Sequence, residues 1–168
     1  MTTRAVVAAA VVFVGVLGVA ASARADDTIR HPGDNPKYVL EIEPHLLAGY
    51  YSPYPDPSPG IGFGARFSIP LVDPGFVPSI NDTIAITFGA DVLLYNKAVV
   101  AFPVAMQWNF YVAQRWSVMG EPGLEIDAGD GVRIRPALWA GARYHFTDHL
   151  ALTMRVGFPT FSVGLSFW

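Results

Sequence analysis

The chain has 168 residues, of which 52% are hydrophobic, 13% aromatic and only 15% charged, with a formal net charge of −3 and no cysteine. That length is one domain; the missing cysteines exclude a disulfide scaffold and a thiolate zinc site; and the negative balance argues against a nucleic-acid partner, because binding phosphates needs a basic field. A mean hydropathy of +0.34 is too high for a soluble domain, in which about 25% of residues are charged, and too high for disorder, so part of the apolar surface is expected to face lipid.

The N-terminus carries Arg4, an apolar run over 5–23, then Ala23-Arg24-Ala25 followed by Asp26-Asp27. A basic start, an apolar middle and small residues two apart have the form of a secretory signal peptide over 1–25, cut after Ala25. The competing reading is an uncleaved anchor, since the run approaches the ~20 residues that span a bilayer. Beyond residue 25 no stretch has the ~18 uncharged apolar residues of a transmembrane helix. The remaining apolar surplus must be organised in another way.

Residues 26–37 are polar, with Pro32, Gly33 and Pro36, and are expected to form a flexible periplasmic lead-in. From residue 38 the pattern has period two, and 38–168 is read as one barrel domain. Strands are predicted over 38–51, 60–71, 83–95, 98–112, 116–127, 132–146, 149–158 and 160–168. The seventh is the clearest, with Leu150, Leu152, Met154, Val156 and Phe158 alternating with Ala151, Thr153, Arg155 and Gly157. The separators are rich in proline, glycine, asparagine and aspartate, and such short connections imply antiparallel neighbours in an up-and-down meander. The fold class is therefore all-β, an eight-stranded antiparallel up-and-down transmembrane β-barrel.

Strands with several charges fix which face is which. Glu41 and Glu43 share one parity, as do Glu121 and Glu125, and as do Arg133, Arg135 and Arg143. With Arg66, Asp91, Asp127 and Arg155 they form a polar face of six acids and five arginines, while the other face is apolar throughout. A lipocalin-like periplasmic carrier would turn the apolar face inward around a ligand; a membrane barrel turns it to lipid. Two features favour the membrane. The polar face has too much glycine and alanine for a water-facing surface. Trp108, Phe110, Trp116, Tyr144, Phe146 and Phe167 also gather at one end, as an interfacial girdle would. Pro44, Pro103, Pro122 and Pro136 lie inside predicted strands, where bulges or displaced boundaries are expected.

The last strand, Thr-Phe-Ser-Val-Gly-Leu-Ser-Phe-Trp over 160–168, resembles the C-terminal signal strand of Gram-negative outer-membrane barrels. Val163, Leu165 and Phe167 alternate, and Trp168 is one residue more than the family pattern. By pattern, 38–168 resembles the small eight-stranded class, the OmpA-transmembrane-domain and OmpX-like barrels. The resemblance implies an outer-membrane location, lipid as the surrounding partner, insertion by the barrel-assembly machinery through Val163, Leu165, Phe167 and Trp168, and a monomer.

The near-balanced inward charges point to a salt-bridged plug, because eight strands leave room only for side chains. Glu125 should face Arg133 or Arg135 across the hairpin. A narrow conduit is the functional alternative. His145 and His149, both placed inward with Asp148 between them, lack a third metal ligand. Glu125, Asp127 and Asp130 fall short of a calcium loop. For lipid A-modifying chemistry the chain has only His45 with Glu43 and Ser68 as an imaginable trio, buried at mid-strand away from lipid. The proline- and tyrosine-rich segment 50–59 is read as a stiff cap over the mouth, or else a recognition loop. No catalysis, cofactor or metal is expected, and the function expected is structural or interaction-type.

Overall fold

The computed structural model describes residues 27–50, 59–129 and 131–168. The signal-peptide reading of 1–25, the central part of the proline-rich segment and Asp130 lie outside the described residues. Eight strands follow one another: β1 (Glu41–Gly49), β2 (Gly60–Val72), β3 (Asp82–Leu94), β4 (Ala98–Ala113), β5 (Trp116–Ala128), β6 (Val132–Thr147), β7 (Leu150–Phe158) and β8 (Thr160–Phe167). Each pairs antiparallel with the next, and β8 returns to β1, closing the barrel. Closure pairs the strands on both sides and leaves no edge, which is what a sheet needs where no water can satisfy its backbone. No helix among the described residues is long and apolar enough to cross a membrane.

The predicted alternation fixes what faces the bore. Along β1 burial strictly alternates: Glu41 and Glu43 are 0% and 1% exposed, whereas Ile42 and Leu46 are 42% and 71% exposed. The same inversion runs round the barrel, with Phe63, Phe88, Val104, Leu124 and Leu138 outside and Arg66, Asp91, Gln107, Glu121 and Arg155 inside. The carrier alternative, with its apolar face inward, is therefore overturned: the bore is filled by carboxylates and guanidinium groups, and the greasy face is the outer wall.

Pro44, Pro103, Pro122 and Pro136 cause no bulges, contrary to expectation. Pairing passes from Ile42–Phe167 to His45–Gly164 around Pro44, from Phe88–Val104 to Asp91–Ala101 around Pro103, and from Ala105–Gly123 to Trp108–Gly120 around Pro122, each in unchanged register. A residue in an antiparallel ladder donates to one neighbour only. Each of these prolines therefore interrupts one seam and stays paired on the other, with Ala65, Glu125 and Leu138 respectively. Pro136 pairs with Leu124 on β5, and β7 ends at Phe158 opposite Leu138, short of Pro136 on the other side. The register shifts lie at Tyr111/Ala113, at His145/Thr147 and at Pro70/Val72, the last at a proline of β2 close to its terminal end.

Both the start of β1 and the finish of β8 lie at one end of the barrel, called here the terminal end, with the β2–β3, β4–β5 and β6–β7 connections. The stretch expected to be a flexible lead-in is instead folded across this end. It forms a 3-10 turn at Asp27–Arg30. Asn81 ties it to the barrel, its backbone N–H donating to the Ile29 carbonyl at 2.7 Å and its side-chain oxygen accepting from Gly33 N at 3.3 Å. Lys37 adds a contact to Asp73 at 2.7 Å, and the Tyr38 ring lies 5.5 Å from that of Trp168.

Candidate functional site

The candidate site is the bore itself. At mid-height Arg155 on β7 donates through Nε to both Glu121 oxygens on β5, at 3.0 Å each, and through its terminal nitrogen to Glu43 on β1. Arg66 on β2 reaches the same Glu121 at 3.2 Å, lies 3.9 Å from Asp91, and sits 4.4 Å above the Trp139 ring. Gln107 Nε2 donates to Glu121 at 2.5 Å and Asn109 Nδ2 donates to Gln107 at 3.0 Å. The His45 ring lies 2.9 Å from Asp91 through Nε2 and 3.2 Å from the Glu43 carbonyl through Nδ1. A carboxylate shared by two guanidinium groups and an amide satisfies the requirement that buried charge be paired and hydrogen-bonded.

Smaller groups flank this centre. Toward the terminal end Arg143 donates to Glu41 at 2.5 Å, and Ser117 Oγ lies 3.0 Å from His145 Nε2. Tyr38 closes over them; burial, with Glu41 nearby, pushes its phenol well above the ordinary tyrosine range. Toward the distal end Arg135 bridges Glu125 at 2.6 Å and Asp127 at 3.0 Å. There Leu47, Leu93, Val99 and Ala101 form an apolar layer against Tyr95, whose phenol burial pushes up to about 12. Gly49 and Gly60 make room for that ring: a Cβ on either would strike it.

The structure brings together ten of the eleven predicted interior charges: Glu41, Glu43, Arg66, Asp91, Glu121, Glu125, Asp127, Arg135, Arg143 and Arg155. Arg133 keeps the inward parity, opposite Asp127, but is exposed at the distal rim, too near the hairpin to enter the bore. Glu125 faces Arg135, which settles the two registers left open. His149 is a second correction. The bulge between His145 and Thr147 breaks the alternation, so His145 stays buried while His149 lies exposed in the turn. The trio of His45, Glu43 and Ser68 is not assembled: Ser68 pairs with Glu41, whereas His45 pairs with Gly64 and its ring meets Asp91. Of the calcium candidates, Glu125 and Asp127 both bind Arg135 and Asp130 lies outside the described residues, among which no group of three or more metal-ligating side chains is found.

Sequence reasoning passed over Trp139 and Tyr38. Trp139 is buried in the bore, its Nε1 donating to Thr160 at 3.1 Å, and the parity of Arg135 and Arg143 on the same strand was the signal for it. The girdle residues do share the terminal end of the outer wall. Trp116 pairs with Tyr144 with ring centres 5.1 Å apart, Tyr144 meets Phe146 at 5.2 Å, and Trp108 meets Phe110 at 5.0 Å. Phe167 pairs with Ile42 and Leu150. On β8, Val163, Leu165 and Phe167 face outward, whereas Trp168 turns over the mouth between Tyr38 and His145.

No protein-family model and no curated protein matches the sequence. Among solved structures, a de novo designed transmembrane β-barrel determined by solution NMR is 18% identical, covering 81% of this chain and 94% of its own, with a TM-score of 0.52. The attachment invasion locus protein Ail of Yersinia pestis, in its crystal structure, is 12% identical over 76% of this chain and 95% of its own, with a TM-score of 0.47. Closed, antiparallel, wound as a meander and inside-out in its burial, the chain has the fold of the small eight-stranded transmembrane β-barrels.

Proposed function

We propose that this is a small outer-membrane barrel of structural or interaction type, with a bore plugged by a charge-balanced network. The observation that carries the reading is the inverted burial: Glu41, Glu43, Glu121 and Arg155 are enclosed while Phe63, Leu46 and Ile61 cover the outside. In water that outer wall would be one large apolar surface, far beyond what soluble monomers expose; in lipid it is the solvated face. Strands of up to 16 residues exceed the roughly 9–11 needed to cross the hydrocarbon. In this orientation the terminal end and its aromatic girdle lie at the periplasmic interface, and 160–168 is the strand through which the assembly machinery inserts the chain.

The plug follows from the pairing of the interior charges. With Arg155, Arg66, Gln107 and Glu121 joined across the centre, the bore holds side chains where a pore would hold water. The test is fractionation with conductance. The protein should stay with outer membranes after carbonate washing and shift on unboiled gels, and in planar bilayers it should show no open channel. Recovery in osmotic-shock fluid would refute the location, and steady conductance would refute the plug. An unchanged lipid A mass profile on deletion is expected if, as proposed, the barrel has no catalytic role.

A further inference from the structure

At the terminal end the lead-in, the β4–β5 turn and the end of β6 enclose a cleft of about 760 Å³, within the size range of small-molecule sites. Its walls carry charges of both signs: Arg115 from the β4–β5 turn, Asp34 from the lead-in and Asp148 from the β6–β7 turn, with His31 and His149 beside them. The side chain of Lys37, which also borders it, is already engaged by Asp73. A singly charged ion would meet like charge as well as opposite charge here. A ligand bearing an anion and a cation a few ångströms apart would meet complements to both.

Phe146 shows where such a ligand comes from. It lines the cleft, yet it is also 47% exposed on the outer wall and packs edge-on against Tyr144 of the girdle. Arg115 donates to the Tyr144 hydroxyl at 3.4 Å. The cleft thus opens on the belt where aromatic rings meet lipid headgroups. The lining suits a primary ammonium as the cation: carboxylates accept its N–H groups, whereas a quaternary ammonium is recognised by a cage of phenylalanine, tyrosine and tryptophan rings, and among the described residues Phe146 is the one such side chain in this lining.

We propose that the cleft holds the zwitterionic headgroup of a phosphoethanolamine lipid, its phosphate recognised by Arg115 with His31 and His149, and its ammonium by Asp148 and Asp34. This rests on the membrane-barrel reading above. The test uses the full chain refolded in detergent and titrated with short-chain phosphatidylethanolamine, short-chain phosphatidylcholine and soluble glycerophosphoethanolamine, with retained ligand read by native mass spectrometry. Phosphatidylethanolamine should bind saturably and about two- to fivefold more tightly than phosphatidylcholine, the scale of one partly exposed ion pair. That preference should vanish in Asp148→Asn/Arg115→Gln, while the gel shift of the folded barrel persists. Equal binding of the two lipids, or a preference that survives both substitutions, would overturn the site. Soluble headgroup binding as tightly as lipid would overturn the lipid assignment. The comparison of lipids on the unaltered chain decides the matter even if the variant fails to fold. A heat-shifting barrel that does not discriminate defeats the site alone, whereas a chain without heat shift defeats the barrel reading with it.

Discussion

Arg155 and Glu121 meet across the bore from strands that are not neighbours, β7 and β5, with Nε donating to both carboxylate oxygens at 3.0 Å. Both side chains are fully enclosed, so neither charge has water to fall back on. Replacing Arg155 with Met leaves Glu121 short of a partner and Glu43 without its guanidinium. The expected cost is about 3–5 kcal/mol, measured by urea unfolding in phospholipid vesicles. Adding Glu121→Gln should recover part of the loss, since breaking a buried pair is worse than removing it.

On the outer wall Phe88 and Val104 are direct partners across the β3–β4 seam. An arginine at either, near the middle of the hydrocarbon, should cost about 2–4 kcal/mol in the same vesicle assay. Substitutions there without effect would place the strand in another phase.

Two glycines separate crowding from tolerance. A Cβ at Gly64 would strike Asp91 and come within 2.9 Å of His45 Nε2, so Gly64→Ala should push these partners apart at about 1–3 kcal/mol. Gly120 has nothing within 4 Å of a built Cβ. Gly120→Ala should be neutral or stabilise by about 0.4–1 kcal/mol through the unfolded chain.

Alkaline titration reports on the two mouths. Burial raises the phenols of Tyr38 and Tyr95, the latter to about 12, whereas an unfolded tyrosine ionises near pH ~10. The folded chain therefore holds protons that the unfolded chain releases. This contribution to stability is complete below pH ~10 and is lost as pH rises through the folded values. Absorbance at alkaline pH should show a transition near 12 that Tyr95→Phe abolishes, and Tyr38→Phe should remove a later one.

How far the fold was legible follows from where the information lay. Strand phase could be read because Glu41 with Glu43, and Arg135 with Arg143, repeat at even spacing, and burial of charge is decided locally by that parity. The partners of Arg155 were out of reach, because the stagger that brings β7 against β1 and β5 is a property of the closed barrel. His149 was misplaced by a single bulge, which alternation alone does not announce. The seating of the lead-in depends on Asn81 and Asp73, more than thirty residues away. The prolines misled because the rule against them concerns a ladder: Pro44, Pro103 and Pro122 each interrupt one of their two, and Pro136 has a partner strand on one side alone.

Charge faces the bore and apolar side chains face lipid, and labelling reads that orientation directly. The natural chain has no cysteine, so single cysteines report without background. Label Phe88→Cys and Val104→Cys as outward positions, and Thr87→Cys and Ala105→Cys as inward ones, with an environment-sensitive fluorophore in vesicles containing spin-labelled lipid. The outward pair should give blue-shifted, strongly quenched emission, and the inward sites should resist labelling in the folded barrel or stay unquenched. Quenching at the inward pair with water-exposed emission at the outward pair would contradict that orientation.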